Sequence, residues 1–340
     1  MSPAASPERP ARRRIGLPAA MIGLALTLAH APARADVLLE PMRARNLSPP
    51  IAIFGVPSWD TDLDPGTRAR LTVTGDAANH FRFSDTASEA LILDGETWRV
   101  NVAYARRLTE RWVLAAGLPL VRQSPGALDD FIDLWHAAFN LPDGRRNMRP
   151  EDELQFFYDR DAGPGYFRSQ ADTGLGDLQL SLARGLGRDG AWRLKVTLKL
   201  PTGDTDLLAG SGAADLGVSI SRGGALRRGP QLAGWFWGAG VLVLGEPDVF
   251  PAESRDWVAL GMLGLSWQPF ASVGFKAQLD LHTAFYDSEL EELGDAAVQG
   301  TIGGWWALDE RRRLTVAVVE DLVVHAAPDV TLHVGFDWSF

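Results

Sequence analysis

The sequence predicts an all-β protein, a transmembrane, antiparallel, up-and-down β-barrel of about twelve strands with a short helix in a long extracellular loop. Three observations support this fold. Apolar and polar residues alternate along most of the chain, most alternating segments reach ten residues, and short and long connections follow one another. A tilted strand needs about nine to eleven residues to cross a bilayer, whereas soluble strands have a mode of about five to six.

The amino terminus, residues 1–35, predicts a signal peptide. Three arginines at 12–14 precede an uncharged stretch over 15–29, and Ala-Arg-Ala at 33–35 supplies small residues for cleavage. The uncharged stretch is shorter than the roughly 20 residues of a transmembrane helix. We therefore expect an exported chain. The proline-rich residues 36–66 are predicted to form a periplasmic lead-in or a plug, and the sequence leaves both open.

The predicted barrel covers residues 67–340. The period-two alternation is clearest at the C-terminus, where Val334, Phe336 and Trp338 share one face and His333 and Asp337 the other. Short turns at one side and long loops at the other are typical of outer-membrane barrels with both termini in the periplasm. The predicted strands are 67–75, 96–106, 110–122, 174–186, 191–201, 212–225, 230–245, 256–268, 272–287, 295–308, 312–322 and 329–340.

Aromatic residues are predicted to form two belts at the membrane interfaces. One belt contains Trp112, Trp192, Trp267, Trp305, Trp306, Trp338 and Phe340, and the other contains Trp98, Trp257 and Phe285. The ending on Phe340 resembles the C-terminal strand that the barrel-assembly machinery recognises. We therefore predict that the protein lies in the cell outer membrane, with that machinery, outer-membrane lipid and lipopolysaccharide as partners.

Polar faces of the strands would line the lumen if the apolar faces meet lipid. This lining allows two interpretations, a selectivity filter that favours anions or a network of paired charges that fills the interior. The sequence does not decide between them. The predicted lumen residues are Arg99, Arg193, Lys195, Lys199, Lys276, Asp280, His282, His333 and Asp337.

A helix is predicted at about 128–140 in the longest loop, and it would constrict the barrel mouth or cap the rim. Two of its residues, an aspartate and a histidine three positions apart, share a helical face, so acid/base chemistry or a metal is conceivable. A packed, solvated helix is the favoured interpretation. The predicted constriction residues are Asp129, Asp130, Asp133, Trp135 and His136.

The composition excludes several classes of function. The absence of cysteine excludes disulfides, thiolate metal sites and a cysteine nucleophile. Because 43 acidic residues outnumber 33 basic ones, a nucleic-acid partner is disfavoured. We predict no catalytic residue, no metal and no cofactor, although a lipid hydrolase that uses His282 or His333 stays an alternative.

Two glycine-rich motifs carry a resemblance to a known family. They are Lys199–Asp204 (KLPTGD) and Gly210–Asp215 (GSGAAD), and Gly174–Asp177 is a third matching segment. The sequence resembles an uncharacterised Gram-negative family of outer-membrane β-barrels, a domain of unknown function, related to the MetA-type proteins of phenol-degradation pathways. The other matching segments are 93–96, 128–146, 277–280, 320–321 and 328–329.

The resemblance spans about 41–340 and implies an outer-membrane location and passage of small, hydrophobic or aromatic compounds, without catalytic residues. The predicted function is a narrow channel or uptake protein for small solutes, with hydrophobic, aromatic and anionic classes all open. The alternative is a closed barrel that acts as a lipid-modifying enzyme or a structural scaffold.

Overall fold

The computed structural model describes residues 39–59, 66–126, 153–160, 165–187, 192–228, 231–249, 254–322 and 326–340. In chain order its strands are β1 (Ala69–Asp85), β2 (Glu89–Arg107), β3 (Trp112–Ser124), β4 (Gln155–Arg160), β5 (Tyr166–Arg168), β6 (Asp172–Leu175), β7 (Leu178–Leu186), β8 (Trp192–Leu200), β9 (Asp215–Arg228), β10 (Gln231–Val243), β11 (Trp257–Phe270), β12 (Val273–His282), β13 (Ala297–Ala307), β14 (Arg312–Asp321) and β15 (Val330–Ser339).

Twelve of these strands form one closed antiparallel barrel, which confirms the predicted fold. The order around the barrel is β1, β2, β3 and then β7 to β15 in sequence, and β15 pairs back with β1. We call these twelve strands the wall. Strands β4 and β5 extend the sheet from the outer part of β2, and β6 pairs with the end of β3. No helix in the described part of the chain has both the length and the apolar character needed to cross a membrane.

The two ends of the barrel differ as predicted. One end carries turns such as 108–111, 271–272 and 308–311, and we call it the short-turn end. The opposite, long-loop end is more structured than the sequence predicts, because β1 and β2 stay paired out to Asp85 and Ala90, where a loop over 76–95 was expected.

This extension of β1 and β2 folds over the mouth of the barrel. Residues 80–95 with β4 and β5 form what we call the lid. At its tip Glu89 accepts hydrogen bonds from Ser288 Oγ at 2.7 Å and the Glu289 amide at 2.9 Å, in the β12–β13 loop. Burial raises the pKa of Tyr166 to about 12, so its hydroxyl stays protonated and donates to the Asp206 carbonyl at 2.8 Å in the β8–β9 loop. The lid therefore ties two distant loops together.

The wall has an apolar outer face and a polar inner face. Leu265 and Ile302 are 66% and 74% exposed, whereas their neighbours Ser266 and Thr301 are buried. This alternation matches the prediction from the sequence. It presents to the surroundings the apolar surface that hydrocarbon would cover.

The prediction is wrong for two residues of the aromatic belts, which do not lie on the outer face. Trp305 is buried and faces the interior, where the Lys276 ammonium lies 5.0 Å from the centroid of its ring. Phe285 is also buried, because β12 ends at His282 rather than at the predicted 287 and the chain then turns inward. Its ring stacks on Phe54 at a centroid distance of 5.0 Å.

Residues 39–59 lie inside the barrel, and we call them the plug. An ascending limb, 39–48, leads to the short helix α1 (Pro49–Ala52), and a descending limb, 53–59, returns. Prolines in the first two helical positions suit this turn because their missing amide hydrogens are not needed there. The plug turn packs against the apolar core beneath the lid, which includes Ile51, Phe54, Phe156 and Phe285. A second short helix, α2 (Glu291–Gly294), belongs to the β12–β13 loop.

Candidate functional site: the plugged lumen

The ascending limb of the plug follows β12. Lys276 Nζ donates to the Glu40 carbonyl. Two residues further on, the Gln278 amide accepts from the Met42 N–H at 2.7 Å and donates to the Met42 carbonyl at 3.1 Å. Alternate β12 side chains thus bond the backbone groups of the ascending limb, which pairs with no described β-strand.

His282 completes this contact, and its ring nitrogens are both engaged. The Asn46 side-chain amide donates to Nε2 at 2.9 Å, so Nδ1 carries the hydrogen and donates to the Thr283 carbonyl at 3.0 Å. The other histidine singled out by the sequence, His333, pairs through Nδ1 with Asp76 Oδ1 at 2.6 Å. Within the described residues no serine hydroxyl is bonded to either imidazole, so neither forms the hydrogen-bonded pair that a serine nucleophile needs.

The descending limb follows β8, where Lys199 forms what we call the lysine cluster with Asp177, Ser211 and Asp215. Lys199 Nζ lies 2.8 Å from Asp177 Oδ2 and 3.1 Å from Asp215 Oδ2, and it donates to Ser211 Oγ. It also donates to the Ile53 carbonyl of the plug at 3.0 Å. Both carboxylates and the lysine are almost completely buried.

The two carboxylates of the lysine cluster are satisfied by backbone donors. Asp215 accepts from the Gly55 amide of the plug at 2.7 Å and from the Gly245 amide at 3.1 Å. Asp177 Oδ1 accepts from the amides of Thr202 and Gly203 at 2.9 and 2.7 Å. The cluster therefore joins the plug to strands β8 and β9, to the residue before β7 and to the loops that follow β8 and β10.

The glycines of the sequence motifs make room for this cluster. A Cβ at Gly210 would lie 2.6 Å from Asp177 Oδ1, and a Cβ at Gly203 would lie 2.9 Å from the same oxygen. Real side chains do not approach so closely, so any other residue would push the carboxylate out of place. The three segments that carry the family resemblance thus converge on one buried ion pair.

A second group of charges holds the base of the plug near the short-turn end, and we call it the arginine cluster: Glu40, Arg43, Arg70, Arg313 and Asp337. Glu40 pairs with Arg70 at 2.7 Å and with Arg313 at 2.6 Å. Asp337 pairs with Arg313 at 2.6 Å and with Arg43 at 3.0 Å. The arginine cluster thus contains three cations and two carboxylates.

Two cavities lie between the plug and the part of the wall formed by β1, β2, β3, β7 and β8. The larger, about 120 Å³, extends from the short-turn end to the middle of the barrel, and the smaller, about 20 Å³, lies beyond it toward the long-loop end. Arg45 of the plug, Arg99 and Gln179 line both. These three side chains therefore mark a constriction between the two spaces.

The predicted lumen residues lie on the inward face but divide into groups. Four of the six on β8 and β12, namely Lys195, Lys199, Lys276 and His282, make hydrogen bonds to the plug, and Asp337 belongs to the arginine cluster. Asp280 accepts a hydrogen bond from Gln278, Arg193 is half-buried, and Arg99 lines the cavities. The predicted loop helix and its residues Asp129, Asp130, Asp133, Trp135 and His136 lie outside the described residues.

The sequence alone did not identify Arg45, Asp177, Ser211 or Asp215 as site residues. They come from the plug, a strand start and a loop, so no spacing along the chain connects them. The only signal was the repeated pattern of glycine with aspartate at 174–177, 199–204 and 210–215.

Comparison with known proteins agrees with the barrel. The COG4313 outer membrane channel from Pseudomonas putida F1 superimposes with a TM-score of 0.53 at 12% identity, over 82% of this chain and all of that one. The Ralstonia pickettii toluene transporter TbuX gives a TM-score of 0.37 at 10% identity, over 81% and 90% of the two chains. The β-domain of the Bordetella autotransporter BrkA gives 0.44 at 13%, over 80% and 100%.

At such low identity the first likeness establishes the fold, and the two lower scores establish nothing further. No curated protein sequence matches the chain. One family model does match, over residues 21–340, which is nearly the whole chain. Its description is a protein of unknown function, DUF3187, and the chain belongs to that family.

Proposed function

We propose that the protein is an outer-membrane channel for small solutes and that the plug holds it closed in the conformation described above. The observation that carries this proposal is the relation of plug to wall. Every wall strand pairs with two neighbouring strands, whereas the plug occupies the lumen without entering any of those ladders. A segment that contributes nothing to the closure of the wall can move without opening the barrel to lipid.

The contacts along both limbs of the plug favour a movable closure. They are hydrogen bonds and ion pairs to Lys195, Lys199, Lys276, Gln278 and the arginine cluster. Water can replace such partners when the plug shifts, whereas it cannot replace apolar packing. The plug turn is packed in the apolar core beneath the lid, and Ile53, Phe54 and Trp59 of the descending limb belong to the same core. Opening would therefore include a movement of the lid.

The two cavities support a route along β2, β3 and β7. Inward positions there are mostly small, including Ala103, Ala105, Ala115, Gly117 and Ala183, so the plug does not fill this side. Solutes would diffuse from one cavity to the other past Arg45 and Arg99. Hydrophobic, aromatic and anionic solutes are the classes expected from the sequence, and the relation to MetA-type proteins stays a prediction.

The outer-membrane location is part of the same proposal. It is supported by the exposed apolar belt of the wall and by the fold shared with an outer-membrane channel. Cleavage of residues 1–35, insertion through the strand that ends at Phe340 and contact with lipopolysaccharide follow as expectations. The histidine contacts do not favour the lipid-hydrolase alternative.

A reversible disulfide between plug and wall tests the proposal, because the chain has no cysteine of its own. An ideal Cβ at Gly55 lies 3.1 Å from Asp215 Cβ, a few tenths of an ångström below the range of disulfides. We expect Gly55→Cys/Asp215→Cys to be closed in planar bilayers when oxidised and to conduct after reduction, since the reduced variant has also lost the Asp215 contact to the plug.

The two single variants, Gly55→Cys and Asp215→Cys, serve as controls because reduction should leave their conductance unchanged. A double variant that forms the disulfide but stays without conductance in the reduced state, at every applied voltage, would contradict a movable plug. Conductance equal in both redox states would contradict it as well.

A further inference from the structure

The larger cavity has an unusual lining. It lies between the plug and strands β1, β2, β3, β7 and β8, and its volume is about 120 Å³. Its described lining residues include five cationic side chains and no carboxylate. The five are Arg43, Arg45, Arg70, Arg99 and Lys195.

Two of these cations form no direct ion pair in the described part of the protein, although Asp76 acts on both electrostatically and Asp177 and Asp215 act on Arg45. Arg45 donates to the backbone carbonyls of Ala52, Phe54 and Val56, and its Nε has no acceptor. Arg99 makes no hydrogen bond and no ion pair with any described residue. The carboxylate of Asp76 interacts with it electrostatically, but Asp76 Oδ1 is already held by His333.

A buried or half-buried guanidinium without a direct ion pair is unfavourable, because it has lost part of its hydration and has no bonded carboxylate in return. Guanidinium groups bind carboxylates through paired, charge-assisted hydrogen bonds. The constriction that joins the two cavities is therefore a place where an anion would be stabilised.

One side of the larger cavity is apolar, whereas Thr72, Thr74, Asn101 and Ser181 add polar groups elsewhere in the lining. Ala103, Ala105, Val113, Ala115 and Ala183 form a continuous small-residue surface on the wall below Arg99. An engineered protein cavity of about 150 Å³ is enough to hold benzene. At about 120 Å³ the cavity here is slightly smaller than that one, and it combines cationic side chains with an apolar side against which a small organic group can pack.

We propose that this cavity binds one small organic carboxylate, with its carboxylate between Arg45 and Arg99 and its apolar body against the alanine surface. The inference rests on the proposed function for one point only, which is that the site lies on the route of the solute. Binding itself needs no opening of the channel.

The test is isothermal titration calorimetry on the full mature chain in detergent micelles, with benzoate as the probe. Benzamide has the same shape without the charge, and inorganic phosphate has charge without an apolar body. We expect benzoate to bind with one site per chain, and benzamide and phosphate to bind at least about tenfold more weakly.

The variant Arg99→Gln should weaken benzoate binding about tenfold or more, since the lost contact is a charge-assisted pair. It should leave the fold intact, because this side chain makes no hydrogen bond or ion pair with a described residue. Arg111→Gln, at an exposed short turn, removes the same charge from a side chain that does not line the cavity and should leave binding unchanged.

Three results would overturn the inference: no saturable binding of benzoate, equal binding of benzoate and benzamide, or benzoate affinity that Arg99→Gln does not change. Phosphate binding as tight as benzoate binding would overturn the organic class of ligand. The two proposals can fail independently. If the disulfide variant never conducts while the parent protein binds benzoate, the proposed function is refuted and the binding site is still supported.

Discussion

At the scale of single residues, Lys199 stands at the junction of plug and wall. One ammonium group lies between two carboxylates that are both buried, so the cluster carries a net negative charge before its backbone donors are considered. The amides of Gly55, Gly203 and Gly245 stabilise that excess charge. The lysine is nevertheless the only cation that the described structure pairs with either carboxylate.

We therefore predict that Lys199→Met destabilises the protein strongly. Removing one partner of a buried ion pair typically costs about 3–5 kcal/mol, because the remaining charges stay desolvated. Urea titration of the refolded barrel in micelles, followed by tryptophan fluorescence, should record a decrease of that size in the free energy of unfolding.

Lys276→Met is the matched control for this prediction. The Lys276 ammonium is also buried, but it contacts a carbonyl and the face of Trp305 rather than a carboxylate. Its loss should cost clearly less than the loss of Lys199. Equal destabilisation by the two variants would mean that the carboxylate pair has no special role.

At the scale of elements, wall and plug are two separate structures in one chain. The plug contributes no strand to the barrel, and its partners on the wall include cations and polar groups that water can hydrate once the plug is gone. The wall should therefore tolerate the loss of this element better than the loss of any strand.

Deletion of residues 36–59 from the mature chain tests that separation. We expect the truncated protein to fold, with different gel mobility before and after boiling, a lower melting temperature and a steady conductance in bilayers. A single-strand deletion, such as removal of β12, is the comparison and should abolish folding. A truncated chain that folds but stays closed would assign the closure to the lid alone.

The strands could be predicted from the sequence because each wall strand has an apolar face outside and a polar face inside. Leu263 and Leu265 face outward while Ser266 and Gln268 face inward, and the alternation is visible without knowledge of any partner. The alternation of apolar and polar residues did not predict the strand where another element covers it. Strand β4 covers the region of Asp94, which is buried although a polar loop was expected there.

The contents of the lumen could be predicted only in part. Inward positions follow from alternation, so Lys195, Lys199, Lys276 and His282 were identified as lumen residues before their partners were known. The identity of those partners depends on a plug that returns from residue 39 to residue 59 across the barrel, and no local pattern encodes that path. Trp305 was misassigned although alternation alone puts it and the adjacent Trp306 on opposite faces, and it points inward against Leu232 and Lys276.

At the scale of the whole molecule, the barrel has the distribution of polarity expected of a protein surrounded by lipid. Its polar residues line an enclosed interior and its largest exposed surface is aliphatic and aromatic. In water such a surface would be unfavourable at about 25 cal/mol for each square ångström left exposed. The outward side chains are therefore where the membrane assignment can be tested most directly.

Two outward residues of β11 are suited to that test, since Leu263 and Trp257 are both 57% exposed but lie at the middle and at the end of the strand. In a bilayer an arginine costs about 2–4 kcal/mol at the midplane and about 0–1 kcal/mol near the interface. We expect Leu263→Arg to lower the unfolding free energy measured in lipid vesicles by the larger amount and Trp257→Arg by less. In water the two changes would be equivalent, because equal exposure gives an arginine equal hydration. Equal effects in vesicles would therefore contradict a bilayer around the wall, and the channel proposal would fail with it.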